Sequence, residues 1–188
     1  MTYGYNADAS QNMTSASIAL HATELLGMLM TAFSRWGGGP IVFVAHGFGG
    51  LVVKKAIMLG QNIAAYRPVG QSSAGVVFLG TPHQCNDSEA VLNAVKYTAA
   101  LVARKGTVMV EDEMREYAEA VRETNTDFAR VCPRDIDLVS FFEELPTTIS
   151  PPNESPYETM VCSLPCHNPN SNQGGRAKPM IDCHRIQG

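Results

Sequence analysis

The sequence lacks the features of a membrane-spanning protein and of a secreted protein held together by disulfides. No apolar run approaches the ~20 residues that cross a bilayer, and the amino terminus lacks the basic and then apolar layout of a signal peptide. The 188 residues include five cysteines, an odd number, and three of them lie in the last stretch of the chain. A disulfide framework is therefore poorly supported, and a soluble cytoplasmic protein is the default expectation.

Clustered positive charge is also lacking. The chain carries 14 basic and 18 acidic residues, for a net charge of −4, and neither lysines nor arginines cluster. This balance argues against nucleic acid or an anionic membrane as an electrostatic partner. Apolar residues make up 45% of the chain and charged residues 17%, which is typical of a globular protein. The length suits one domain.

The most informative stretch runs from residue 41 to residue 56. Five apolar residues, 41–45, lead into the glycine-dense turn Gly47-Phe48-Gly49-Gly50. Apolar residues at helical spacing follow at once, beginning with Leu51 and Val52. A buried strand that feeds a helix has this pattern.

The turn has the frame of a nucleophile elbow but not the nucleophile. In G-x-S-x-G turns a serine at a strained backbone position projects above the sheet, and small flanking residues let strand and helix approach. Here the frame is filled by Ala45-His46-Gly47-Phe48-Gly49, with Gly47 in the serine position. The sequence therefore predicts the architecture of a serine hydrolase with a degenerate nucleophile position.

The stretch 44–56 resembles the elbow of fungal lipase-like α/β-hydrolases related to the serine-active-site-containing protein family, which normally reads A-H-S-L-G-G-L-V-V-K-K-A. The stretches 1–8, 75–83 and 139–146 carry the same resemblance, and the order and spacing match to about Leu145. The resemblance implies a partial α/β-hydrolase fold, of class α/β, with a mostly parallel sheet flanked by helices. It also implies ester hydrolysis without a metal or cofactor.

The same glycine-rich string permits a second interpretation. An H-G-x-G-G string also occurs in this fold as the oxyanion loop, which supplies a backbone N–H group and no nucleophile. The helical periodicity that starts at Leu51 favours the elbow.

Local patterns predict the remaining elements. We expect strands at 1–5, 41–45, 74–79 and 135–142, and helices at 15–36, from the elbow to about 62, at 89–103 and at 114–129. Thr14 or Ser15 would cap the first helix, and Pro68, Gly70 and Ser72 mark a loop. These elements form a truncated hydrolase domain over 1–146. Residues 147–188 are rich in proline, asparagine and serine, and we expect an irregular, disordered tail.

Relatives in the resembled family place about two strands and the oxyanion loop before their equivalent of residues 1–5. We therefore expect one sheet edge to be bare and available to a protein partner. A small lipid-like ester or another apolar ligand is the expected small-molecule partner. The resemblance further implies association with mitochondrial or endoplasmic-reticulum membranes.

The acid and the oxyanion donors of a triad have candidates near the elbow. By resemblance Glu143 fits the acid position and Glu144 is the alternative; the other interpretation is a solvated Glu-Glu pair that closes a strand. The backbone N–H groups of Phe48 and Gly49 would donate hydrogen bonds to an anion at a helix N-terminus. In this fold His46 would support the turn from beside it.

The histidines offer no clear general base. We expect His83 to shape the pocket rim or to be exposed, and His21 to be a core histidine. After the acid, only His167 and His184 remain, and neither stands in the family's N-H-x-D-M-T-like string. The group Cys162, Cys166, His167, Cys183 and His184 has enough ligands for zinc, but its spacing matches no familiar finger, so we predict no metal.

Two functions remain open at this stage. The first is a lipase/esterase-like domain that is catalytically impaired because its elbow carries Gly47. The second is a non-catalytic ligand-binding or signalling module, since the resembled domain in fungi often precedes nucleotide-binding and repeat domains.

Overall fold

The computed structural model describes residues 1–5, 14–83, 111–143, 147–149, 157–159 and 182–186. The helices are α1 (Ser15–Trp36), α2 (Gly49–Asn62), α3 (Arg67–Ser72) and α4 (Glu111–Val131), and a short 3-10 turn (Ala64–Tyr66) precedes α3. The strands are β1 (Ile41–His46), β2 (Ser73–Leu79), β3 (Asp137–Glu143), β4 (Thr147–Ile149), β5 (Tyr157–Thr159) and β6 (Asp182–Ile186).

A parallel sheet forms the centre of the fold. Its strand order is β1-β2-β3-β6, and every neighbouring pair is parallel. All four carboxyl ends therefore lie at one edge of the sheet, where ligand sites of open α/β sheets gather. Strands β4 and β5 form a separate antiparallel pair. The predicted α/β class with a parallel, helix-flanked sheet is confirmed.

Helix α2 is the element on which the others pack. It contacts α1, α3, α4, β1 and β2, and most of its length is buried. The sheet face beneath it is apolar: Phe43 and Ala45 lie beside Val76 and Phe78 in register, and all four are buried. Apolar residues on nearly every side of α2 suit a helix that is enclosed in this way.

Helix α1 is where the sequence pattern predicted it. Thr14 caps it by accepting a hydrogen bond from the Ser17 N–H group, and Gly37 ends it in the left-handed region at φ 74°. Contrary to the expectation that no segment could span a bilayer, α1 is long and apolar enough to do so by length and composition. Its buried side chains, among them Leu25, Leu26 and Leu29, belong to the main core, and a core helix of a soluble protein passes the same test.

Three parts of the chain differ from the sequence expectations. Residues 1–5 form no strand, because Tyr3 and Tyr5 turn to α1: the Tyr3 hydroxyl donates to the His21 carbonyl oxygen. Residues 67–72 form helix α3 where a loop was expected, since Pro68 is in the first turn, where a missing N–H group costs nothing. Within the predicted tail, β4 and β5 pair with each other, and β6 joins the sheet beside β3 although it has no apolar run. The predicted helix 89–103 lies outside the described residues.

Helix α2 and the segment after β2 approach each other closely at Gly50. A Cβ atom there would overlap with the Thr81 side chain, which is fully buried. At neighbouring Gly49, the nearest atom to such a Cβ is the Tyr5 hydroxyl, at 3.6 Å. The close approach of α2 to the segment after β2 therefore depends on the absence of a side chain at Gly50. At Gly49 there is room for a methyl group.

We predict that Gly50→Ala lowers the free energy of unfolding by about 1–3 kcal/mol through overpacking. Gly49→Ala is the matched control and should leave the free energy of unfolding unchanged or raise it by up to about 1 kcal/mol, since its new methyl group makes an ordinary contact and alanine favours a helix over glycine. Urea denaturation of both variants measures the difference. Equal stability of the two variants would contradict the close approach.

Candidate functional site

The elbow predicted from the sequence is present at the carboxyl edge of the sheet. Strand β1 ends at His46, and α2 begins at Gly49. Between them Gly47 has φ 53°, in the left-handed region that favours glycine. The Gly47 N–H group donates to the Leu79 carbonyl oxygen at 2.8 Å, and its own carbonyl oxygen accepts from the Gly50 N–H group at 3.1 Å. The turn is thus hydrogen-bonded to both β2 and α2.

The position that a nucleophile would occupy is open. A Cβ atom built on Gly47 meets no atom of the described residues within 4 Å, so with respect to these residues a side chain would be restricted by backbone strain and not by contacts. The N–H groups of Phe48 and Gly49 follow directly, at the start of a 14-residue helix. The structure thus shows the predicted strand-turn-helix geometry, and the assignment of Gly47 as a degenerate nucleophile position stays a prediction.

Aromatic rings surround the turn. The Phe48 ring stacks on Tyr117 of α4, with centroids 5.7 Å apart, and lies 6.1 Å from Tyr5. Tyr5 also packs against His21, at 4.9 Å. Burial raises the pKa of the Tyr5 phenol to about 12, so its hydroxyl stays neutral and remains a donor. His21, expected in the core, has a side chain that is 18% exposed, and its Nδ1 lies 3.3 Å from the Glu24 carboxylate.

Of the residues predicted from the sequence as acid or base, Glu143 lies at the same edge of the sheet as Gly47. Glu143 is the last residue of β3, at the same edge as Gly47, because His46, Leu79 and Phe141 are level in the sheet. Its role as the acid stays a prediction, and Glu144 and His167 lie outside the described residues. His184 lies within β6 opposite Phe141, and so does not follow the last strand as a triad histidine would. His46 is exposed.

His83 belongs to a buried polar network under the carboxyl edge. It is 3% exposed, so the alternative of an exposed histidine is wrong, and a place at the pocket rim stays a prediction. Lys54 of α2 donates to His83 Nδ1 at 2.7 Å and to Asn125 Oδ1, and His83 Nε2 lies 2.9 Å from Ser140 Oγ on β3. The Lys54 ammonium also lies 5.0 Å from the Phe78 ring centroid, a cation–π distance. The network joins α2, α4, β3 and the segment after β2.

The contact between Ser140 and His83 looks catalytic but has the wrong proton arrangement. A lysine ammonium only donates, so His83 Nδ1 must accept and the ring proton is on Nε2. Nε2 then donates to Ser140 Oγ and cannot take its proton, whereas a triad base needs the opposite tautomer. Burial, and secondarily the charge of Lys54, hold the pKa of His83 well below its usual 6.5. The network is therefore a structural brace.

Sequence reasoning missed this network, although one signal was available. Lys54 is placed three residues after Leu51 and four before Met58, which puts a charge on the apolar face of a helix. All three residues are buried. A charge at such a position predicts a buried partner.

The described residues contain no group of three metal-ligating side chains, and most of the cysteines and histidines considered for zinc lie outside them.

Comparisons with known proteins agree with the resemblance in part. No family model matches the chain, and no solved structure matches it significantly. Protein SERAC1 of Danio rerio is 28% identical over 136 residues, 72% of this chain and 20% of that protein. Protein SERAC1 of Homo sapiens is 25% identical over 138 residues, 73% and 20% of the two chains. The chain thus spans about a fifth of the length of these relatives, and a fungal origin stays a prediction.

We predict that Lys54→Met destabilises the protein by about 2 kcal/mol or more, because His83 Nδ1 and Asn125 Oδ1 each lose a donor in a buried site, at about 1–3 kcal/mol per unsatisfied group. Lys55→Met, at the half-buried neighbouring position, is the control and should change stability by less than about 0.5 kcal/mol. Chemical denaturation measures both. Equal losses of unfolding free energy in the two variants would show that the hydrogen bonds of Lys54 do not stabilise the fold.

We also predict a pH dependence that originates from His83. The unfolded chain binds a proton near the ordinary histidine pKa of 6.5, while folded His83 resists protonation. The contribution of His83 to the free energy of unfolding is therefore fully present above about pH 6.5. This contribution decreases as the pH falls below that value, by up to about 1.4 kcal/mol per pH unit. Urea unfolding at pH 7.5 and 5.5 measures the fall. The same fall in a His83→Gln variant would assign it to another group.

Proposed function

We propose that this chain is a lipase/esterase-like hydrolase domain whose catalytic step is lost. The observation that carries the proposal is the elbow at Gly47: positive φ, open space for a side chain, and no side chain. Similarity to SERAC1 over about three quarters of the chain supports the hydrolase-like scaffold.

Gly47 lacks the hydroxyl group that ester hydrolysis through an acyl-serine requires. In ester hydrolysis through an acyl-serine, a histidine takes the serine proton, the oxygen attacks the carbonyl carbon, and backbone N–H groups hold the oxyanion. Gly47 provides no oxygen for the attack. In serine hydrolases, loss of the nucleophile costs about 10⁶-fold in kcat and leaves only about 10³–10⁴-fold over water. The N–H groups of Phe48 and Gly49 would supply that remainder.

A second candidate function is ligand binding at the same elbow. The space beside Gly47 and the rings of Tyr5 and Phe48 favour a small ester or another apolar ligand with a polar group directed at the turn. The neutral Tyr5 hydroxyl would donate to that group. Such a module would bind without turnover. The cytoplasmic default gains no support from the fold, and membrane association remains a proposal taken from the family resemblance.

The test is a pair of variants, Gly47→Ser and Gly47→Ala. Both add a Cβ atom at the same strained φ, so they should destabilise the fold equally, by about 1–2 kcal/mol. We expect slow labelling by a fluorophosphonate probe in Gly47→Ser alone, at residue 47, and none in the wild type or in Gly47→Ala. Mass spectrometry locates the label.

Two outcomes would contradict the proposal. Labelling of a serine in the wild-type chain, together with turnover of p-nitrophenyl butyrate, would reveal a nucleophile elsewhere. Identical behaviour of Gly47→Ser and Gly47→Ala, with both variants folded, would remove the elbow from the functional site.

A further inference from the structure

We draw no further inference here: the strongest candidate, the buried side-chain cluster of Lys54, His83, Asn125 and Ser140 beneath the carboxyl edge of the sheet, belongs to the structural network already described, and nothing in the described part of the chain shows a ligand or substrate that would reach it.

Discussion

The left-handed backbone at Gly47 is the constraint on which the rest of the arrangement depends. It allows β1 to end and α2 to begin within three residues, so that the helix returns directly over the strand it left. The Gly47 N–H group is bonded to β2, and Gly50 lets α2 approach the segment after β2. The elbow therefore determines where strand, helix and carboxyl edge meet.

Beneath the elbow the ammonium group of Lys54 is buried in the core. Lys54, His83, Asn125 and Ser140 come from four parts of the chain and meet in one network; among these four residues, no pair has the proton arrangement of a nucleophile and its base. A buried cation is costly unless its partners are fixed. The lysine determines the tautomer of the histidine, and in that tautomer His83 donates a hydrogen bond to Ser140 and does not act as its base.

The sequence predicted the local features well and the long-range ones poorly. The elbow and α1 were predictable because a glycine-dense turn, a Thr14 cap and a Gly37 stop act within a few residues. The network was not, since Lys54 and Ser140 are far apart along the chain and only the fold brings them together. Strand β6 was missed because Asp182–Ile186 has no apolar run and its pairing with β3 is a tertiary effect. The site lacks its expected side chain for a reason visible in the sequence: Gly47 itself.

A crystal structure of the Gly47→Ser variant tests the central claim most directly. The account predicts that residue 47 keeps a positive φ near 53°, that α2 still begins at Gly49, and that the new hydroxyl stands free at the carboxyl edge of the sheet. A residue 47 with negative φ, or a hydroxyl turned away from that edge, would contradict it.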